Sequence, residues 1–325
     1  MKKTILFSLG FLFLLLLGYW LLIESENTTT PEPPLKIGIN IWPGYAHAFV
    51  AQQKDFFDQQ GVKVELILKS EISEVSELYK KGELDGMFNV FTDIIMLNAD
   101  GFPTRVVYVA DYSDSGDVII GRPEFQTLHD LKGKTISFEG VDTFSHMLVL
   151  SLLEQAGIQE GEFQAVNLFV HRVLDALEAG EIDAGHTWEP TTSQAVEKGY
   201  KILAKAGDIP GIITDVLAFR ANVIKERPDD IQGVVKALLE AREFLYTQPE
   251  EALTIMAKAN RMSKAEMELG VRGIHYPDGS ENMAAMQPGG TLFKSGQIAA
   301  DFYLRSGQLF EKPDFETLID ARFVQ

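Results

Sequence analysis

Residues 36–50 read KIGINIWPGYAHAFV, and residues 134–148 read KTISFEGVDTFSHML. In both, an apolar strand led by lysine breaks at a short glycine-containing turn and resumes with helical periodicity. A second pair, GELDGMFNVFTD from Gly82 and GEIDAGHTWEPT from Gly180, stands at the same offset of 98 residues. A shared offset points to two related halves; two generic strand-to-helix units are the alternative. Between the first two stretches the pattern continues as a helix over 46–60 stopped at Gly61, and a strand over 62–68. An amphipathic helix over 71–81 and a strand over 87–90 follow. This alternation predicts an α/β protein built on largely parallel sheets.

A chain of 325 residues, 46% of them hydrophobic, is globular and long enough for two cores. The net charge of -18, with no basic stripe anywhere, excludes nucleic acid as a partner. The absence of cysteine removes disulfides, thiolate nucleophiles, zinc-thiolate sites and iron–sulfur clusters. The six histidines show no metal-ligand spacing, so no metal and no cofactor is expected. Nor is there a nucleophile elbow, a phosphate-binding loop or a dinucleotide fingerprint, and the chain does not read as an enzyme.

Lys2 and Lys3 precede an uncharged run over residues 5–23. As a helix that run rises about 28 Å, close to the thickness of a bilayer core. Tyr19 and Trp20 stand where interfacial anchors sit, and no alanine precedes Ala46. We read an uncleaved inner-membrane anchor, with a cleaved signal peptide as the alternative. Both readings export the acidic remainder. Residues 24–34, rich in Thr and Pro, read as a stiff tether.

Ligands of open α/β sheets sit beyond the C-terminal ends of parallel strands. That rule collects the candidate site residues. Trp42 and Tyr45 flank Pro43-Gly44, either as a stacking wall for a planar or cationic group or as edge packing. Glu139, Asp142, Thr143 and Ser145 enter a helix ending at Gly157. Asp142 or Thr143 serves as its cap, and free N–H groups there would suit an anion unless a capping carboxylate competes for them. Trp188 and Glu189 follow a strand ending near Gly185, with Glu189 either binding or bracing its loop. Asn89 and Thr92 lie in the matching loop of the first half, and Asp215 lies further on.

The chain resembles the periplasmic solute-binding proteins of ATP-binding-cassette importers, in the class that handles nitrate, taurine, aliphatic sulfonates and thiamine-type pyrimidines. INIWPGYAHAFVAQQKDFFDQQGVKVEL, LYKKGELDGMF and DLKGKTISFEGVDTFSHMLVLSLLEQAGI carry the resemblance. ALEAGEIDAGHTWEP and VLAFRANVIKERPDDIQGVVKALLEA complete it. It spans about residues 36–260 and implies a bilobal fold of two mixed, mainly parallel sheets around a central cleft. On that expectation, residues 1–34 form the anchor and tether, and residues 113–212 form the second lobe. The first lobe is residues 35–112 together with 213–325, with crossings near 111–117 and 205–215. Its partners would be a small solute and membrane permease subunits served by a cytoplasmic ATPase. The lipid-accepting cysteine usual in such proteins is missing, so the N-terminal helix would tether the chain instead.

The charges collected at the cleft (Asp93, Glu139, Asp142, Glu189 and Asp215) are opposed only by Arg172 and any protonated histidines. A nitrate or sulfonate site would want guanidinium forks or several free N–H donors. We therefore expect a cationic or neutral nitrogenous solute, such as an amine or aminopyrimidine, with a sulfonate, taurine or nitrate receptor as the alternative. A membrane-anchored solute sensor is the rival role. Fungal thiamine-pyrimidine synthases are also similar, but the cysteine-rich segment they carry is absent here. Helices are expected over 229–246 and 249–260; from about residue 263 onward the resemblance becomes generic, and the stretch containing GIHYPDGSENMAAMQPGG reads as a loop.

Overall fold

The computed structural model describes residues 32–141 and 143–325, so the anchor reading of residues 5–23 and the candidate Asp142 lie outside the described residues. Among the described residues no helix is long and apolar enough to cross a membrane. Residues 35–325 form one compact unit.

The opening stretch behaves as its pattern demands. Strand β1 (Leu35–Asn40) has a nearly continuous buried face. Pro43 starts a single 3-10 turn, Pro43–Tyr45, where its fixed φ and missing N–H do no harm. The helix expected over 46–60 is two pieces, His47–Gln53 and Phe56–Gln59. The break falls at Asp55, whose left-handed φ of 58° ends the first piece. Strand β2 (Val64–Lys69) then pairs parallel with β1. The helix Ile72–Lys80 carries a capping box between Glu71 and Glu74, and buries Ile72, Val75 and Tyr79 along one stripe. Strand β3 (Gly86–Val90) is buried throughout, and the helix Phe91–Ala99 follows it directly.

Strand β4 (Thr104–Ser113) leads out of this sheet and β5 (Val118–Gly121) begins the next. The second sheet adds β6 (Thr135–Phe138), β7 (Gln164–Asn167), β8 (Ala184–Thr187) and β9 (Lys201–Lys205). The chain then returns through β10 (Thr214–Arg220), and a short β11 (Ile274–His275) closes the edge. The six-stranded sheet runs β11-β4-β10-β3-β1-β2, and the five-stranded sheet β7-β6-β8-β5-β9.

The two internal matches correspond to real elements. The KIGIN and KTISF strands are β1 and β6, and the two GE-[LI]-D motifs lead into β3 and β8. Each sheet repeats one order: a parallel trio (β2-β1-β3 or β7-β6-β8) followed by antiparallel strands. Those antiparallel neighbours, β10 and β4 or β5 and β9, are the strands that flank the crossings between sheets. The stretch expected to be a loop near residue 280 holds the helix Gly279–Ala285, capped by Asp278 and Glu281. One large apolar cluster spans both sheets, and a smaller one gathers around Ile120, Val173 and Ile182.

Candidate functional site

Two adjoining spaces lie between the sheets. The inner one, about 10 Å³, is walled by Asn40, Trp42, Tyr45, Asp117, Trp188 and Asp215. That is roughly the room of one water-sized group. The outer one, about 450 Å³, has Ser73, Asp93, Glu139, Thr143 and Asn167 on its walls. Its size is that of a small-molecule pocket. Ile72 and Phe144 border both.

The inner seam is acidic because of strand register. Antiparallel pairing of β4 with β10 sets Asp111 opposite Asp215. Both side chains are buried, as is Asp117 just past the crossing. The Trp42 Nε1–H donates to Asp111 Oδ2 at 3.2 Å, and the Tyr45 hydroxyl donates to Asp215 Oδ1. Asn40 Oδ1 receives no donor among the described residues, and Asp111 Oδ1 and Asp215 Oδ2 have none there beyond a proton passed between them. Burial pushes Asp111 up to about 8, with the Trp42 bond offsetting part of the rise. Asp215 is raised well above the usual carboxylate range by burial and then by the charge of Asp111. The two acids are close enough to share one proton.

Asp117 is held from behind. Its Oδ1 accepts the Nε2–H of His186 at 3.0 Å, which assigns that tautomer and leaves Nδ1 to accept the Ser145 hydroxyl at 2.7 Å. Ser145 Oγ in turn accepts the Glu139 N–H at 2.9 Å. The composition is that of a hydrolase triad, but the order is reversed. The carboxylate lines the cleft and the serine is fully buried behind it. Ser145 therefore braces a carboxylate; it has no access to a substrate as a nucleophile.

In the outer chamber Glu139 is 4% exposed, and neither of its oxygens closes a hydrogen bond among the described residues. Burial raises it to about 8, reinforced by the charges of Glu71 and Asp93; the nearby Ser73 hydroxyl eases this without bonding to it in good geometry. Asp93 rises to about 7 through burial, although the Phe144 N–H donates to its Oδ1 at 2.9 Å. That bond joins the helix Phe91–Ala99 of one half to the start of the helix Phe144–Gln155 of the other. Thr143 caps the same helix by accepting the His146 N–H at 3.3 Å. The helix terminus that would suit an anion thus already holds a carboxylate.

The remaining candidates divide. Trp42 and Trp188 meet edge to face at 5.9 Å across the seam, and the Trp188 Nε1–H donates to the Ile41 carbonyl. Tyr45 is buried against Phe88 at 5.1 Å, so its ring is packing and only its hydroxyl reaches the seam. Asn89 lines neither space; its amide bonds Ser76 and the Val90 N–H. Thr92 is buried in its helix, one residue before the Asp93 that does face the chamber. Glu189 accepts the Ser193 N–H at 3.1 Å and braces its loop. Sequence reasoning passed over Asp111, Asp117, Asn40 and His186 as site residues. An available signal was a carboxylate set inside the apolar run VVYVADY.

The model of the family described as "NMT1/THI5 like" matches residues 42–252. The chain is 23% identical over 233 residues to the taurine-binding periplasmic protein of Escherichia coli (strain K12), covering 69% of this chain and 72% of that one. It is 25% identical over 229 residues to the 4-amino-5-hydroxymethyl-2-methylpyrimidine phosphate synthase THI13 of Saccharomyces cerevisiae (strain ATCC 204508 / S288c), covering 65% and 66%. Against a relative from Brucella abortus (strain 2308), it is 29% identical over 180 residues and spans about half of that relative's length, 52%. Among solved structures, the alkanesulfonate-binding protein SsuA from Xanthomonas axonopodis pv. citri superposes with a TM-score of 0.74 at 17% identity, over 90% of this chain and all of that one. At that identity the likeness establishes the fold, that of the periplasmic binding proteins. Two sheets of repeated order, crossing strands at a shared cleft and a match across most of the compact unit lead to one conclusion: the chain belongs to the NMT1/THI5-like family.

Proposed function

We propose that this protein is the extracytoplasmic solute-binding component of an ABC importer, and that it captures a small nitrogenous solute rich in N–H donors, of the amine or aminopyrimidine class. The observation that carries this reading is the set of buried acceptor oxygens on the cleft walls, at Asn40, Glu139 and Asp215, with no lysine or arginine bonded to them among the described residues. Buried acceptors left without donors each cost about 1–3 kcal/mol, and a ligand that supplies donors recovers that cost. An anion would instead face these carboxylates, and Asp93 already occupies the helix terminus that would hold it.

In mechanism, residues 113–212 move as one lobe against residues 35–112 and 213–325, bending at the two crossings. A solute touching both faces favours the closed form by its differential affinity. The closed surface then presents to permease subunits driven by a cytoplasmic ATPase, with the chain tethered to the inner membrane through residues 5–23. The synthase relatives raise an enzyme as a second possibility. The reversed Ser145–His186–Asp117 order argues for binding instead.

The test is isothermal titration of the purified full chain in mild detergent with amines, aminopyrimidines, taurine, alkyl sulfonates and nitrate. Saturable binding of an amine or aminopyrimidine is expected. Tight binding of taurine, a sulfonate or nitrate, with none by the nitrogenous cations, would overturn the reading.

A further inference from the structure

Resting on the reading above, we propose that the cleft holds two separate nitrogen subsites, so that the solute is an amine with a cationic nitrogen at each end. One end is a primary ammonium seated in the inner seam; the other is met by Glu139 in the outer chamber.

The unpartnered acceptors fall into two groups. The seam presents Asn40 Oδ1 and Asp215 Oδ2, with Asp117 also on its walls and Asp111 paired opposite Asp215 in the strand register. The chamber presents both oxygens of Glu139, itself 4% exposed, with Glu71 Oε2 near enough to act on its charge. Between the groups stand Ile72 and Phe144, which border both spaces and offer no hydrogen bond from their side chains. A single compact cation reaches one group and leaves the other unsatisfied. A molecule with two cationic ends and an apolar middle matches acceptor, apolar wall and acceptor in sequence.

Size decides which end goes where. The seam has about 10 Å³, enough for one water-sized group and too little for a ring or a guanidinium without parting its walls. A primary ammonium has that size and brings three donors. The chamber, at about 450 Å³, has room for the spacer and a bulkier second nitrogen group. Phe144 at the junction offers a ring face or edge to the spacer beside the cation. The braced chain from Ser145 through His186 acquires a use here. It fixes Asp117 so that the seam keeps its shape when the ammonium replaces the proton shared by Asp111 and Asp215.

The experiment is a titration series on the full chain, with α,ω-diaminoalkanes of increasing length against n-alkylamines of the same lengths. One length of diamine is expected to bind on the order of tenfold or more tighter than its monoamine, the margin of one charge-assisted hydrogen bond. Glu139→Gln is expected to erase that margin. Equal affinities for diamines and monoamines at every length would overturn the two-subsite inference while leaving a cationic solute in place. Binding of taurine or nitrate with no amine binding would overturn both. The comparison between ligands is made on the unaltered protein, so it stands even where the Glu139→Gln chain fails to fold.

Discussion

Replacing Asp111 by asparagine tests the electrostatics of the seam without altering its shape. The Asn oxygen still accepts from Trp42 Nε1, and its amide donates toward Asp215 Oδ2 in place of the proton the two acids share. Asp111 is raised by burial from an ordinary value of 3.8 to about 8. A raised carboxyl means that the folded chain keeps a proton the unfolded chain has released. Stability from this source is complete below about pH 4 and is lost as pH rises through about 8. One retained proton corresponds to about 1.4 kcal/mol per pH unit, so its loss between about pH 5 and pH 7 is at most on the order of 3 kcal/mol. For a chain of this size that is on the order of 5 °C in Tm. Urea unfolding of both proteins across this range is the assay. The unaltered protein should lose stability with rising pH relative to Asp111→Asn, and the variant should be the more stable near neutrality. A difference between the two that stays constant with pH would refute the shared-proton seam. Asp215, Glu139, Asp93, Glu71 and Glu189 are also raised by burial and His47 is lowered by it to about 4, so the slope common to both proteins sums their opposing contributions.

Gly44→Ala places a Cβ against Asp111 Oδ2 and Trp42 Nε1, and should cost about 2 kcal/mol or more in chemical unfolding together with solute binding. Tyr45→Ala should cost about 3–5 kcal/mol because the ring is buried on Phe88. Tyr45→Phe keeps the ring and strips one donor from Asp215, a loss of about 1–3 kcal/mol by thermal or urea unfolding. Asp93→Ala frees the Phe144 N–H and removes a negative charge from the helix start, so titration should detect weak sulfonate or nitrate binding that the unaltered protein lacks. Unchanged anion affinity in that variant would show that the helix terminus is not what excludes anions.

Much of the architecture was legible in the sequence because it is written in local periodicity. The strands at Leu35–Asn40 and Thr135–Phe138, the capped helix Ile72–Lys80 and the repeat at a fixed offset are all short-range patterns of apolar spacing and turn residues. The break at Asp55 was not legible, since a left-handed non-glycine residue leaves no compositional mark. Nor was the helix Gly279–Ala285, hidden in a stretch rich in glycine and polar residues.

The site divides along the same line. Local sequence placed Trp42, Tyr45, Glu139, Thr143, Trp188 and Asp215 at strand ends, and all six line one or other space, with Thr143 also capping its helix. It could not see that Asp111 would stand opposite Asp215, because that pairing is fixed by the register of two strands about a hundred residues apart. It likewise could not see Asn89 turned to Ser76 or the reversed order of Ser145, His186 and Asp117, and it left Glu189 between binding and bracing, which the Ser193 contact decides. The sequence alone determined an α/β chain with two related halves and carboxylates at its strand ends, because composition and periodicity are properties of neighbours along the chain. Only the tertiary structure decided which carboxylates are buried without donors, because burial and partnership are set by residues that the fold, and not the chain, brings together.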